Sequence, residues 1–140
     1  MTAAIQTLST RSVSILRKVL WLDALSSAGM ALLLIVFAAA LEPRLGLGAG
    51  FLRTVGAILL PFVALLAWTA SRERIPRLAV GWIIALNALW VIDSLAILFF
   101  GWVQPTTLGT AFVVAQAVCV GVLAELEFVG LKREGRAVQS

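Results

Sequence analysis

The chain has 140 residues, 61% of them hydrophobic and 13% charged, with a mean hydropathy of +1.05. Soluble domains average about 45–50% apolar and about 25% charged residues, so a water-soluble globular fold is excluded. The net charge is +4, but the placement of the cations, taken up below, speaks against the nucleic-acid partner that a basic soluble chain would suggest.

Four apolar runs dominate, at about 19–41, 51–70, 78–101 and 107–128. Each has the roughly 20 residues that a helix needs to cross a hydrocarbon core of about 30 Å. Before the first run, Ile5, Leu8, Ser12, Ile15 and Val19 recur at near-helical spacing. Residues 1–18 are therefore expected to form an amphipathic segment on the cytoplasmic surface, capped by Ser9 or Thr10. The first run is longer than the 7–15 residues or so of a signal-peptide core and contains Asp23, so it is read as a retained span, although Ala38-Ala39-Ala40 imitates a cleavage site.

Pro43 is expected to end the first helix, and Gly46, Gly48 and Gly50 to loosen the loop that follows. These glycines lack the Lys-Ser/Thr of a phosphate-binding loop and no strand precedes them, so a nucleotide site is not expected there. The second span carries Pro61 at its middle, which predicts a bend. The loop Ser71-Arg72-Glu73-Arg74-Ile75-Pro76-Arg77 is short and makes spans two and three antiparallel neighbours. After Pro105, Thr106 or Thr107 is placed to cap span four. Residues 129–140 form a basic tail. Three short connections predict an all-α membrane protein, an up-down-up-down bundle of four transmembrane helices.

Nine of the eleven cations lie before span one, between spans two and three, or after span four; only Arg44 and Arg53 lie on the other side. Positive charge is retained in the cytoplasm, so both termini are expected there (N-in/C-in) in a multi-pass protein of a bacterial inner membrane. The same cations suit anionic lipid headgroups. Trp21, Trp68 and Trp82 fall near the cytoplasmic ends of their spans and Trp102 at the outer end of span three, as indoles at an interface should.

Polar groups within spans are expensive, and each asks for a partner or an aqueous cavity. Asn87, Trp90 and Ser94 share one face of span three, which should point inward. Asp93 lies about 120° away and is assigned to a neighbouring helix or protomer; a pair with Arg53 is sterically feasible. Asn87, Asp93, Gln116, Arg53 and Trp90 together form the candidate intramembrane polar site, which either only fixes helix register or, around Asn87, Asp93 and Gln116, holds a substrate, ion or proton. Asp23 and Glu125 are expected in a solvated belt of ion pairs at the inner end. Ala117, Gly121 and Glu125 form a row on span four that allows close helix approach and marks a candidate association face.

The absences restrict chemistry. The chain has no histidine, no tyrosine and one cysteine, Cys119. Haem held by two histidines, His-ligated metals, dithiol exchange and a Ser-His-Asp triad are all ruled out. Neither an enzyme nor a cofactor is expected.

The segments Leu16-Arg17-x-x-Leu20-x-Leu22-Asp23-Ala24, Ala85-Leu86-Asn87-Ala88-Leu89-Trp90 and Ala115-Gln116-Ala117-Val118 resemble those of a group of small four-span bacterial membrane proteins of unassigned function. That resemblance implies the architecture and nothing catalytic. In size the chain is also similar to small multidrug-resistance exporters. It departs from them in the position of Asp23, near a helix end, and in its strong charge bias. The leading expectation is an accessory or structural subunit that self-associates or joins a larger membrane assembly. The alternative is a homo-oligomeric transporter or channel for a small solute or protons, with lipid or quinone binding against Trp90 as a third reading.

Overall fold

The computed structural model describes residues 1–139, apart from the side chains of Leu8, Ser9, Ser12, Val13, Ser14, Ala137 and Val138. The expected contributions of Leu8, Ser9 and Ser12 to an amphipathic face lie outside those described residues. All regular structure is helical: α1 Thr2–Val36, α2 Ala38–Leu45, α3 Ala49–Ser71, α4 Arg77–Phe99 and α5 Thr107–Gln139. Segments of α1, α3, α4 and α5 are long and apolar enough to cross a membrane, each with a mean hydropathy of 2.0. The chain is thus a multi-pass membrane protein built as a four-helix bundle. Both termini emerge at one end, called here the terminal end; α2 and the α4–α5 turn form the far end.

Several boundaries differ from expectation. The N-terminal segment is continuous with span one, because α1 starts at Thr2. Thr10 therefore caps nothing; its hydroxyl donates back to the carbonyls of Gln6 and Thr7 inside the helix. The first helix stops at Val36, earlier than Pro43 suggested. Phe37 breaks the axis and Pro43 lies inside the short α2. Proline displaces the carbonyl four residues back, and the change of axis falls just ahead of that point.

The glycine-containing loop after α2 is pinned at two points. Gly46 is left-handed (φ 66°) and ends α2. The Thr106 N–H donates to the Leu45 carbonyl at 2.9 Å, and the Thr106 hydroxyl donates to the Arg44 carbonyl at 2.6 Å. The same hydroxyl accepts from the Gly109 N–H at 3.0 Å, so Thr106 caps α5 as its position after Pro105 predicted. Gly109 must be glycine here, since a Cβ would fall on the Leu45 carbonyl oxygen.

Around the bundle the order is α1, α3, α4, α5. The α1–α3, α1–α5 and α4–α5 contacts are extensive, whereas α3 and α4 touch lightly despite their short connection. The interior is layered. At the terminal end Leu16, Leu20, Leu66, Val80 and Ile83 form one apolar cluster. At the far end Leu34, Ala38, Leu45, Leu52 and Val113 form another. Large apolar side chains such as Leu25, Leu32, Ile58, Leu89, Ile92 and Val118 point outward, as contact with lipid requires.

Candidate functional site

Between the two apolar clusters lies a polar layer. Its side chains come from the inward stripes of three helices. On α1 the buried stripe runs Leu16, Leu20, Asp23 and Ala24; on α4 it runs Val80, Ile83, Asn87 and Ser94; on α5 it includes Val113, Ala117, Leu123 and Glu127. Asp23 and Glu127 are each 0% exposed and Asn87 2%. The Asn87 Nδ2 group donates to Asp23 Oδ2 at 2.8 Å and to Glu127 Oε2 at 3.2 Å. Ser27 donates its hydroxyl to Asp23 Oδ1 at 3.0 Å. Glu127 Oε1 is buried with no partner. Asn87 lies about 15 Å along α4 from Arg77, well inside the spanning part of the helix.

A second polar set follows toward the far end. The Trp90 indole donates to Gln116 Oε1 at 2.8 Å, and Gln116 Nε2 donates to the Ser94 hydroxyl at 3.0 Å. This neutral chain ties α4 to α5 and satisfies both members of the Gln116 amide.

The carboxylate layer is closed toward the terminal end. Leu16 presses on Gly130, where a Cβ would lie 3.1 Å from Leu16 Cδ1. Beyond that contact lie Arg17, Arg77 and Glu134. Arg17 donates to the carbonyls of Arg72 at 2.7 Å and Glu73 at 3.1 Å, which fastens the α3–α4 loop to α1. Glu134 is two turns past Glu127, about 10 Å along α5. No cation joins Asp23, Asn87 and Glu127 among the described hydrogen-bond partners.

The sequence-derived candidates therefore divide. Asn87, Trp90 and Gln116 are inward and hydrogen-bonded. Asp93 and Arg53 are exposed and belong to neither set. They do not pair within the chain, because Arg53 lies on the α1 side of α3 and Asp93 on the α3 side of α4. Asp23 is not in a solvated belt: it falls on the Leu16–Leu20 stripe and is carried inside. Glu125 is exposed and lines a shallow depression with Ile84, Ala124, Phe128 and Val129. In the association row, Ala117 is buried and Gly121 half-buried, with only Val91 Cγ2 near it at 3.9 Å from a would-be Cβ.

Glu127 is the residue that sequence reasoning missed. A row of i+4 steps from Ala117 turns about 40° per step and leaves the inward face by Glu125. The inward stripe instead runs Val113, Ala117, Val120, Leu123, Glu127 and Gly130, in steps of three or four residues averaging about 3.4, and so carries Glu127 inside.

The layer thus brings two carboxylates, one amide and one hydroxyl together in an apolar interior. Asn87 offers its NH2 to both acids, so it supplies a donor where a metal ion would need another oxygen. Among the described residues no group of three or more His, Cys, Asp or Glu is placed to hold a metal. Comparison with family models, with curated proteins and with solved structures finds no match.

Proposed function

We propose that this protein is a proton-binding membrane transport protein, with Asp23, Asn87 and Glu127 as its proton site. One observation carries the reading: two fully buried acids share a single amide donor and have no cation between them. Two bare charges drawn to one amide nitrogen in an apolar medium repel strongly and lose their hydration. A proton held between them removes both costs. Asp23 already accepts from Asn87 and Ser27, while Glu127 has a free oxygen, so Glu127 is the member that takes up and releases the proton.

Release leaves like charges on α1 and α5. The two helices meet at Leu16 and Gly130, and loosening that contact is the direct way to admit water from the terminal end. The charge bias of the sequence supports a cytoplasmic terminal end in a bacterial inner membrane. The test is proton flux into liposomes containing the purified protein, driven by a pH gradient and read with an internal pH-sensitive dye. Glu127→Gln should lower the flux at least tenfold, and Glu125→Gln should leave it unchanged. Wild-type flux in Glu127→Gln would sink the proposal.

The accessory-subunit reading is the second proposal. Asp93, Arg53 and Glu125 all face outward, and charged groups in lipid call for partners from another chain. Native mass spectrometry of gently extracted membranes separates the two: a defined second protein favours the accessory role, and a homo-oligomer favours transport.

A further inference from the structure

Asp93 and Arg53 are charged residues on the outside of a membrane bundle. Arg53 lies about 6 Å along α3 from Ala49, and Asp93 about 9 Å along α4 from Phe99. Both distances are measured from the far end, so the two side chains occupy similar depths. Both are exposed, and neither has a hydrogen-bonding or ionic partner among the described residues. An arginine can lift its head toward the interface. An aspartate is too short for that and calls for a cation at its own depth.

Their angular positions supply one. Asp93 is about 120° round α4 from the inward Asn87. It lies on the flank away from α5, because Val91, on the opposite flank, is what meets Gly121 of α5. Arg53 is about 120° round α3 from the inward Leu59. It lies toward α1, because Gly56 on that flank is packed on Ala31, Leu34 and Ile35. The outer face of α3 is therefore bordered by Arg53 on one side and Asp93 on the other. From Gly50 to Ala64 that face is a ridge of small or compact residues, Gly50, Thr54, Ala57, Pro61 and Ala64, all exposed, and it ends toward the terminal end at the exposed Trp68.

We propose that this face binds a second copy of the same chain, forming a two-fold dimer about an axis along the membrane normal with α3 against α3. A two-fold contact is self-complementary, so each residue on one flank meets the residue on the other flank of its partner. Asp93 of one protomer then meets Arg53 of the other, twice, across a ridge whose small side chains let the backbones approach. Two charges that each lipid-facing monomer leaves unmatched become two ion pairs. The inference stands independently of the proton site, which lies within one protomer.

The test is cysteine cross-linking in native membranes. Cys119 is the chain's single cysteine, so Cys119→Ala supplies a cysteine-free background. On it, Ala57→Cys should form a dimer on mild oxidation several-fold more efficiently than Val118→Cys, which faces lipid from α5. Added to Ala57→Cys, Asp93→Arg or Arg53→Asp alone should reduce the cross-link about tenfold, and Asp93→Arg/Arg53→Asp together should restore it. The dimer is overturned if Ala57→Cys cross-links no better than Val118→Cys, a comparison that alters no charge. It is also overturned if the double charge reversal remains as impaired as the single ones.

Discussion

At Asn87 one amide serves two acids, and the consequences of removing it are specific. Asn87→Leu has similar volume but leaves Asp23 with Ser27 alone and Glu127 with no donor. Hydrogen bonds to charged or partly charged groups contribute about 1.5–3 kcal/mol each. The variant should lose about that much stability, and a subsequent Glu127→Gln should recover part of it by removing an unmet acid. Unfolding of the three proteins in mild detergent checks this; equal stabilities for Asn87→Leu and wild type would contradict it. Gln116→Leu acts on the neutral chain instead. It strands the Trp90 indole N–H and the Ser94 hydroxyl, at a cost of about 1–3 kcal/mol for a buried unmet donor. Proton flux should persist in that variant, because the acids are untouched.

Residue-level reading of the sequence reached part of this. Asn87 and Ser94 could be assigned inward because their spacing fits one helix face. Asp23 was misplaced because a charge near a helix end looks solvated until its stripe is traced back through Leu20 to Leu16. Glu127 was not legible because the small residues of α5 recur in i+4 steps, while its packed seam advances by fewer residues per turn. Which carboxylate meets which amide depends on how α1 and α5 are rotated against α4, and no single helix encodes that rotation.

At the scale of elements, close approach is set by a few glycines. Gly109 and Gly56 are the positions to probe. A Cβ on Gly56 would lie 2.8 Å from Ile35 Cγ1 and 2.9 Å from the Ala31 carbonyl oxygen, so Gly56→Ala should push α3 off α1. Gly109→Ala should detach α5 from the end of α2, since its Cβ would sit on the Leu45 carbonyl. Gly48→Ala, with open space around it, should be close to neutral. Overpacking of this kind typically costs about 1–3 kcal/mol, enough to lower the melting temperature in detergent measurably for the first two and not for the third. The helix count and the Thr106 cap were legible from apolar length and turn chemistry. The break at Phe37 was not: Pro43 announces a disruption but does not say on which residue the axis will bend. Nor did the short α3–α4 connection guarantee packing between those helices, because a loop fixes adjacency at one end only.

For the whole molecule, the layering matters most. Apolar clusters toward both ends enclose a polar middle. The surface is apolar around the spans and basic at the terminal end, which suits a lipid environment with anionic headgroups on that side. Accessible-cysteine labelling in intact cells should place Gln139 and the Arg72–Pro76 loop on the cytoplasmic face and Gly48 on the opposite face. Labelling of Gly48→Cys from the cytoplasmic side alone would reverse the orientation. The proposed proton site is best examined by infrared difference spectroscopy across a pH titration in lipid. Wild type should show a protonated-carboxyl carbonyl band that is lost in Glu127→Gln and retained in Glu125→Gln. The absence of such a band in wild type, or its persistence in Glu127→Gln, would contradict a proton shared between Asp23 and Glu127.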